Sequence, residues 1–206
     1  MVYKNFFYRF IISVLLISFY FFSLDNKSIL FLLITFIYII IFYETYINFK
    51  KYQKLIIIYL TLSYLSFLLF YIKYFDYNSL NILIISIILF DTFSYFVGRL
   101  LGKNFIFKTI SPKKTLEGYL GGFSLTNLIF IVYYNVFKPD IALINFLMLI
   151  NLIIFFSILG DLIQSFFKRK NNIKDSSNLL PGHGGFFDRF DSFITSIIFI
   201  LFYSIL

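Results

Sequence analysis

The chain has 206 residues, of which 60% are hydrophobic, 24% are aromatic and only 14% are charged, and its net charge is +8. Soluble globular domains carry roughly 25% charged residues, so this composition excludes a soluble enzyme, a disordered chain and a solenoid. With no cysteine and a single histidine, His183, the sequence also excludes a disulfide scaffold, a thiol nucleophile and a multi-histidine metal site.

Seven apolar stretches are long enough to cross a bilayer, which takes ~20 helical residues. They are predicted at residues 6–24, 28–49, 55–75, 79–97, 117–137, 141–167 and 187–206. The first lacks a small-residue cleavage site and is expected to be a retained anchor. The sequence therefore predicts an all-α, polytopic membrane bundle of about seven spans. We expect one integral-membrane domain over residues 1–206, with N-terminal spans in 1–84 and a catalytic portion in 85–206.

The basic residues are distributed unequally between the two sides of this predicted bundle. Fifteen of the 18 Lys and Arg residues fall on one side, and only Lys27, Lys73 and Lys138 fall on the other. Short loops rich in Lys and Arg stay in the cytoplasm, so the N-terminus and both long connections, 98–116 and 168–186, are predicted to be cytoplasmic. Because this orientation accounts for the positive charge, we expect no nucleic-acid partner.

Carboxylates inside a span cost about 2.5–3.5 kcal/mol each on insertion scales and therefore mark candidate functional sites. Six acids lie in or at the ends of spans on the predicted cytoplasmic side: Glu44, Asp91, Glu117, Asp161, Asp188 and Asp191. Glu44 and Glu117 lie near helix ends, and we expect them to be solvated or paired with nearby lysines. Asp91 and Asp161 follow long apolar runs, which favours a functional role.

The spacing of these acids predicts that some of them converge. Asp161, Ser165 and Lys168 fall at i, i+4 and i+7 and share one helix face, and Asp188 and Asp191 share another. If the two helices meet, three carboxylates lie together near the cytoplasmic end. Oxygen ligands alone suit a hard cation such as Mg²⁺, which binds one or two carboxylates together with substrate phosphates.

Cations and glycines surround these carboxylates in the sequence. The basic residues are Lys168, Arg169, Lys174 and Arg189, and the segment PGHGG at 181–185 precedes the last helix. Glycines let backbone N–H groups approach an anion, and a helix N-terminus offers unpaired donors. A metal, cations and such a turn are what phosphoryl or nucleotidyl transfer requires. We expect His183 to hydrogen-bond a phosphate or to orient a ligand.

The segment from Ser165 to Asp191, SFFKRKNNIKDSSNLLPGHGGFFDRFD, resembles the signature of the phosphatidate cytidylyltransferase (CDP-diacylglycerol synthase) family, which it matches without a gap. The segments DTFSYFVGRLLGK, SPKKTLEGYLGG and GDLIQS also look like this family. The resemblance covers about residues 85–206, whereas the N-terminal third matches only in being hydrophobic.

This resemblance implies transfer of CMP from CTP to phosphatidate, with release of pyrophosphate, at the cytoplasmic (inner) membrane. The implied cofactor is Mg²⁺, with K⁺ as a candidate second cation, and the implied partners are CTP, phosphatidate, the bilayer and a second copy of the chain. The implied catalytic residues are Asp161, Lys168, Asp188 and Arg189, and the implied metal ligands are Asp161, Asp188 and Asp191. The implied substrate-binding residues are Lys113, Lys114, Ser165, Arg169, Lys174, His183, Gly184 and Gly185.

Two other functions stay open on the sequence alone. A CTP-dependent polyprenol or dolichol kinase would use similar groups to transfer a γ-phosphoryl group to a lipid alcohol. A transporter or channel would distribute its acids through the depth of several spans, whereas here they gather near one end. Asp91 is a second-tier candidate, either as a metal ligand or as a partner for Arg99 or Lys113.

Overall fold

A computed structural model of the chain describes residues 26–107, 109–180 and 184–205, together with Ser18 and Tyr20. The described residues form six α-helices: α1 (Lys27–Asn48), α2 (Gln53–Lys73), α3 (Tyr77–Leu101), α4 (Leu116–Phe137), α5 (Leu143–Lys170) and α6 (Phe187–Ile205). Each coincides with one predicted span. The first predicted span, 6–24, lies outside the described residues.

Five helices, α1 to α5, are long and apolar enough to cross a membrane, so the chain is an all-α, multi-pass membrane protein. Helix α6 has 19 residues, and its first five include Asp188, Arg189 and Asp191. The prediction of about seven spans is therefore too high for the part of the chain that the structure describes. Five spans are supported there, because the last helix is charged at its start.

Helices α1, α3 and α4 begin after a capping side chain, and two helices end later than predicted. Asp76 accepts from the backbone N–H of Ser79 at 2.8 Å before α3, and Thr115 accepts from that of Gly118 at 3.2 Å before α4. Helices α3 and α5 continue to Leu101 and Lys170, so the two long connections shorten to 102–115 and 171–186. Neither extension contains a proline to interrupt helical hydrogen bonding.

Helix α6 lies at the centre of the described bundle and packs against α1, α2, α3 and α5. Ile194, Ile197 and Ile200 are fully buried. Small hydroxyl side chains join it to its neighbours: the Ser63 hydroxyl of α2 donates to the Ile194 carbonyl at 2.6 Å, and that of Ser192 donates to the Ser157 carbonyl of α5 at 3.3 Å. Such residues allow close packing between membrane helices, which places the charged start of α6 among the other helices.

The connections that follow α1, α3 and α5 meet at one end of the bundle. The Asn48 side-chain amide at the end of α1 donates to the Ser176 carbonyl at 2.9 Å. The Arg169 Nε at the end of α5 donates to the Ile110 carbonyl at 3.1 Å. The segments that carry most of the basic residues therefore share one end of the bundle.

Candidate functional site

A polar cavity of about 680 Å³ opens at this end of the bundle, between α3, α4, α5 and the start of α6. Its charged lining residues are Asp91, Arg99, Lys113, Lys114, Asp161, Asp188, Arg189 and Asp191. Asp161, Asp188 and Asp191 all line this cavity, because α5 and α6 pack side by side, and their role as metal ligands stays a prediction. The predicted residues Lys113, Lys114 and Arg189 line the same cavity.

Lys114 forms the main ion pair within the cavity. Its Nζ lies 2.7 Å from Asp161 Oδ2, and the two side chains are 29% and 19% exposed. Burial lowers the pKa of Lys114, but Asp161, Tyr119 and Asp91 raise it, and the net pKa lies above its usual value. Lys114 therefore stays protonated at every physiological pH.

The structure does not pair the Asp91 carboxylate with Arg99 or Lys113, the two basic residues expected as its partners. Within the described residues, ion pairs at 4 Å or less join Lys114 to Asp161 and Lys168 to Asp188. Asp91 therefore pairs with neither Arg99 nor Lys113, and Lys114 is the cation whose charge acts on it. The reason is geometric, since Lys114, Asp91 and Asp161 line the same cavity and the Lys114 ammonium reaches Asp161.

Asp188 organises the wall of the cavity through both of its carboxylate oxygens. Oδ1 accepts from Lys168 Nζ at 2.7 Å and from the Gln164 side chain at 2.5 Å. Oδ2 accepts from the Ser176 N–H at 2.7 Å, the Ser176 hydroxyl at 3.0 Å and the Gly185 N–H at 3.0 Å. This one carboxylate therefore joins α5, the connection 171–186 and α6.

The sequence analysis missed Gln164 and Ser176 as partners of this carboxylate. Gln164 lies four residues before Lys168 on the same helix face. This i, i+4 spacing indicated that the two side chains could contact the same group, which is Asp188 Oδ1. Ser176 carried no such signal, because its contact depends on how the connection folds back over α6. Asp161 and Lys168 lie on one helix face as predicted, but they do not pair with a common partner. Asp161 pairs with Lys114, and Lys168 pairs with Asp188.

The backbone N–H groups at the end of the glycine-rich turn donate to carboxylates of the protein itself. Gly184 has a φ of +84°, which suits glycine, and its carbonyl accepts from the Leu180 N–H at 2.9 Å. The N–H of Gly185, predicted to face a phosphate, donates to Asp188, and the next two N–H groups donate to Glu44. Residues 181–183, including His183, lie outside the described residues.

Three other predicted substrate-binding residues lie away from the polar cavity. Ser165 is buried within α5 at 7% exposure, and Arg169 donates to the connection after α3. Lys174 lines a separate polar cavity of about 340 Å³ beside Asn48 and Ser176. Their roles with substrate stay predictions.

The two acids near helix ends differ from expectation. Glu44 is 1% exposed rather than solvated, and it accepts hydrogen bonds from the connection 171–186 and the start of α6. Glu117 accepts from the backbone N–H of Lys103 at 3.1 Å and from the Asn104 side chain at 2.7 Å, not from a lysine ammonium. In both cases backbone N–H groups at a turn lie closer to the carboxylate than any ammonium group of the described residues.

Comparison with known sequences connects this geometry to a family. The profile of the "Cytidylyltransferase family" matches residues 2–206. The chain belongs to the cytidylyltransferase family. The resemblance that the signature indicated is thereby confirmed.

Curated relatives named phosphatidate cytidylyltransferase align with about half of the chain. The protein of Bacillus subtilis (strain 168) is 42% identical over 112 residues, which is 54% of this chain and 42% of the relative. The proteins of Staphylococcus saprophyticus and Staphylococcus haemolyticus are 44% and 47% identical over 106 and 109 residues, 52% of this chain and 41% of each relative. The aligned region thus spans less than half the length of these relatives.

In this member of the cytidylyltransferase family, an apolar cavity of about 260 Å³ adjoins the polar one. It is lined by aliphatic and aromatic side chains of α1, α3 and α6, among them Ile37, Ile84 and Phe193. Arg189 lines both cavities. A ligand with an anionic head and an apolar tail would match this arrangement.

Gly160 allows α5 and α6 to approach closely enough to bring Asp161 beside Asp191. A Cβ at Gly160 would lie 2.3 Å from the Asp191 carbonyl oxygen and 2.7 Å from Thr195 Oγ1. We expect Gly160→Ala to separate the two helices at a cost of about 1–3 kcal/mol. Thermal denaturation in detergent should show a lower Tm, and an unchanged Tm would contradict this packing.

Proposed function

We propose that this protein is a phosphatidate cytidylyltransferase, which transfers CMP from CTP to phosphatidate and yields CDP-diacylglycerol and pyrophosphate. One observation carries the proposal: a polar cavity rich in carboxylates and cations shares Arg189 with an apolar cavity. The first suits a nucleoside triphosphate and the second the acyl chains of a lipid. The names of the aligned relatives support the same activity.

In the proposed reaction, a phosphate oxygen of phosphatidate attacks the α-phosphorus of CTP in line with the bond to the leaving pyrophosphate. The new P–O bond forms as the old one breaks, so no covalent enzyme intermediate is required. Lys113, Lys114 and Arg189 line the cavity and would neutralise the phosphates. Asp188, paired with Lys168, holds the connection 171–186 in place beside them.

The donor set fits Mg²⁺ as the metal. Among the described residues no three His, Cys, Asp or Glu side chains are grouped so that they could hold a metal ion, but Mg²⁺ usually takes one or two carboxylates and completes its shell with water and phosphate. Asp161, Asp188 and Asp191 line the cavity and offer only oxygen ligands, so one or two of them, together with the substrate phosphates, would hold Mg²⁺. When bound, the ion would neutralise charge on the triphosphate. K⁺ is proposed as a second cation.

We propose that the site faces the cytoplasm in the inner (cytoplasmic) membrane. The supporting observation is that the connections carrying most of the basic residues share one end of the bundle. In this proposal the N-terminus is cytoplasmic, and residues 1–206 form one domain that pairs as a homodimer.

Two radiolabels separate the candidate activities. Purified protein with Mg²⁺, phosphatidate and α-labelled CTP should place label in the lipid, because CMP is transferred. With γ-labelled CTP the label should leave as pyrophosphate. Unlabelled lipid in the first reaction would overturn the proposal.

The same assay tests the alternatives. A polyprenol or dolichol kinase would place γ-label in a lipid alcohol and release CDP. A transporter would leave both labels in the aqueous phase. The acids that the structure gathers around one cavity favour the cytidylyltransferase over an ion path through several spans.

A further inference from the structure

Glu44 connects the N-terminal helix to the segment that carries the signature. It lies near the end of α1, is 1% exposed, and its carboxylate is reached by donors far away in sequence. Oε1 accepts from the Ser177 hydroxyl at 2.6 Å and from the Phe186 N–H at 2.8 Å. Oε2 accepts from the Phe187 N–H at 2.9 Å and from the Ser176 hydroxyl at 3.4 Å.

These contacts place an anion at the start of α6. The first N–H groups of a helix have no partner within the helix, and a negative charge there is favourable. Phe186 precedes α6, and its side chain has no oxygen with which to accept those N–H groups. Glu44 therefore provides, from α1, the cap that the local sequence of α6 lacks.

The same segment supplies the donors of Asp188. The Ser176 hydroxyl lies 3.4 Å from Glu44 Oε2 and 3.0 Å from Asp188 Oδ2, so it contacts both carboxylates. Gly185 fits between them, because a Cβ there would lie 2.1 Å from Ser176 Oγ and 2.7 Å from Glu44 Oε1. Glu44 and Asp188 thus hold the connection 171–186 from opposite sides.

We propose that Glu44 is a positioning residue for the active site: it fixes the connection 171–186 on the start of α6 and thereby sets the placement of Asp188 and Lys168. The catalytic part of this inference rests on the proposed function. It assigns a role to the N-terminal third of the chain, where the signature gives no information. The carboxylate acts through backbone and hydroxyl donors and not by contact with substrate.

The test compares Glu44→Gln with Thr45→Val. Glutamine keeps the shape of Glu44 but replaces one accepting oxygen by an N–H₂ group, which faces an N–H of Phe186 or Phe187. Thr45 is the adjacent buried residue and bonds only to carbonyls of its own helix, those of Ile41 and Phe42. It is therefore a matched control for the loss of a buried polar contact in α1.

Two readouts are measured for each purified variant: amide hydrogen exchange, and the kinetics of CMP transfer. For Glu44→Gln we expect the Phe186 and Phe187 amides to exchange at least about tenfold faster, since hydrogen bonds to a charged acceptor are strong. We expect kcat to fall at least about tenfold while KM for CTP changes less than about threefold, as when an interaction acts only in the transition state. Thr45→Val should leave both readouts near those of the unmodified protein.

Unchanged exchange in Glu44→Gln would overturn the inference, and so would equal losses in Thr45→Val. If Glu44→Gln fails to fold, Ser177→Ala removes the 2.6 Å hydrogen bond to Glu44, together with the one that the Ser177 hydroxyl accepts from the Leu179 N–H at 3.1 Å, and should give the same changes at smaller size. If the unmodified protein transfers no CMP, the proposed function fails, while the exchange measurement still decides whether Glu44 holds the segment.

Discussion

Asp188→Asn should reduce CMP transfer at least about 100-fold. Both oxygens of Asp188 accept hydrogen bonds, two at Oδ1 and three at Oδ2. Asparagine has one oxygen, so either Lys168 and Gln164 or the backbone of the connection 171–186 would face an N–H₂ group. Removing one partner of a buried ion pair costs about 3–5 kcal/mol, and an equal loss of transition-state stabilisation would lower the rate by a factor of about 100 or more.

The measurement is label transfer from α-labelled CTP to phosphatidate at saturating Mg²⁺, with a Tm in detergent to confirm folding. Asp140→Asn is the matched control, because Asp140 is an exposed acid in the connection between α4 and α5. It should retain full activity. Near-normal turnover in a folded Asp188→Asn protein would show that this carboxylate neither organises the site nor holds the metal.

Lys114→Met should be the second most damaging change. It removes the ammonium that lies 2.7 Å from Asp161, in a cavity also lined by Asp91 and Asp191. A triphosphate would then approach carboxylates that have lost their closest cation. Truncating one partner of a buried charge pair costs about 2–5 kcal/mol, so we expect kcat/KM for CTP to fall at least about 30-fold.

Two further variants give this experiment its controls. Lys114→Arg keeps the charge and should recover part of the activity, whereas Lys54→Met removes an exposed ammonium at the start of α2 and should change little. Steady-state kinetics with varied CTP measures all three. Equal kinetics for Lys114→Met and Lys54→Met would exclude Lys114 from the site.

The helices could be predicted because their signal is local. Apolar length decides whether a segment can cross a bilayer, and each of the six described helices coincides with a predicted span. The ends were less predictable: the run Gly98–Leu101 starts with a glycine and an arginine and the run Lys168–Lys170 is entirely basic, yet both stay helical. Helical hydrogen bonds satisfy the backbone there as well as water would, so hydropathy does not mark the end.

The charged residues that line the site could be predicted from the sequence, but the ion pairs among them could not. The spacing of Asp161, Asp188 and Asp191 indicated a shared cavity, and the structure brings them to one. Which cation meets which acid depends on the path of the connections 102–115 and 171–186. Glu44 shows the limit most clearly, since the serines and N–H groups that it accepts from are more than 130 residues away.

The sequence by itself determined the class of the protein, its helices and its family, because these follow from apolar length, charge and a contiguous signature. It also attributed the net charge of +8 to the predicted orientation of the helices in the membrane and not to a surface that binds nucleic acid. Only the tertiary structure decided that Lys114 pairs with Asp161, that Asp188 holds the connection 171–186, and that Glu44 caps α6. These contacts join distant segments, and their partners are set by packing geometry that no local pattern records.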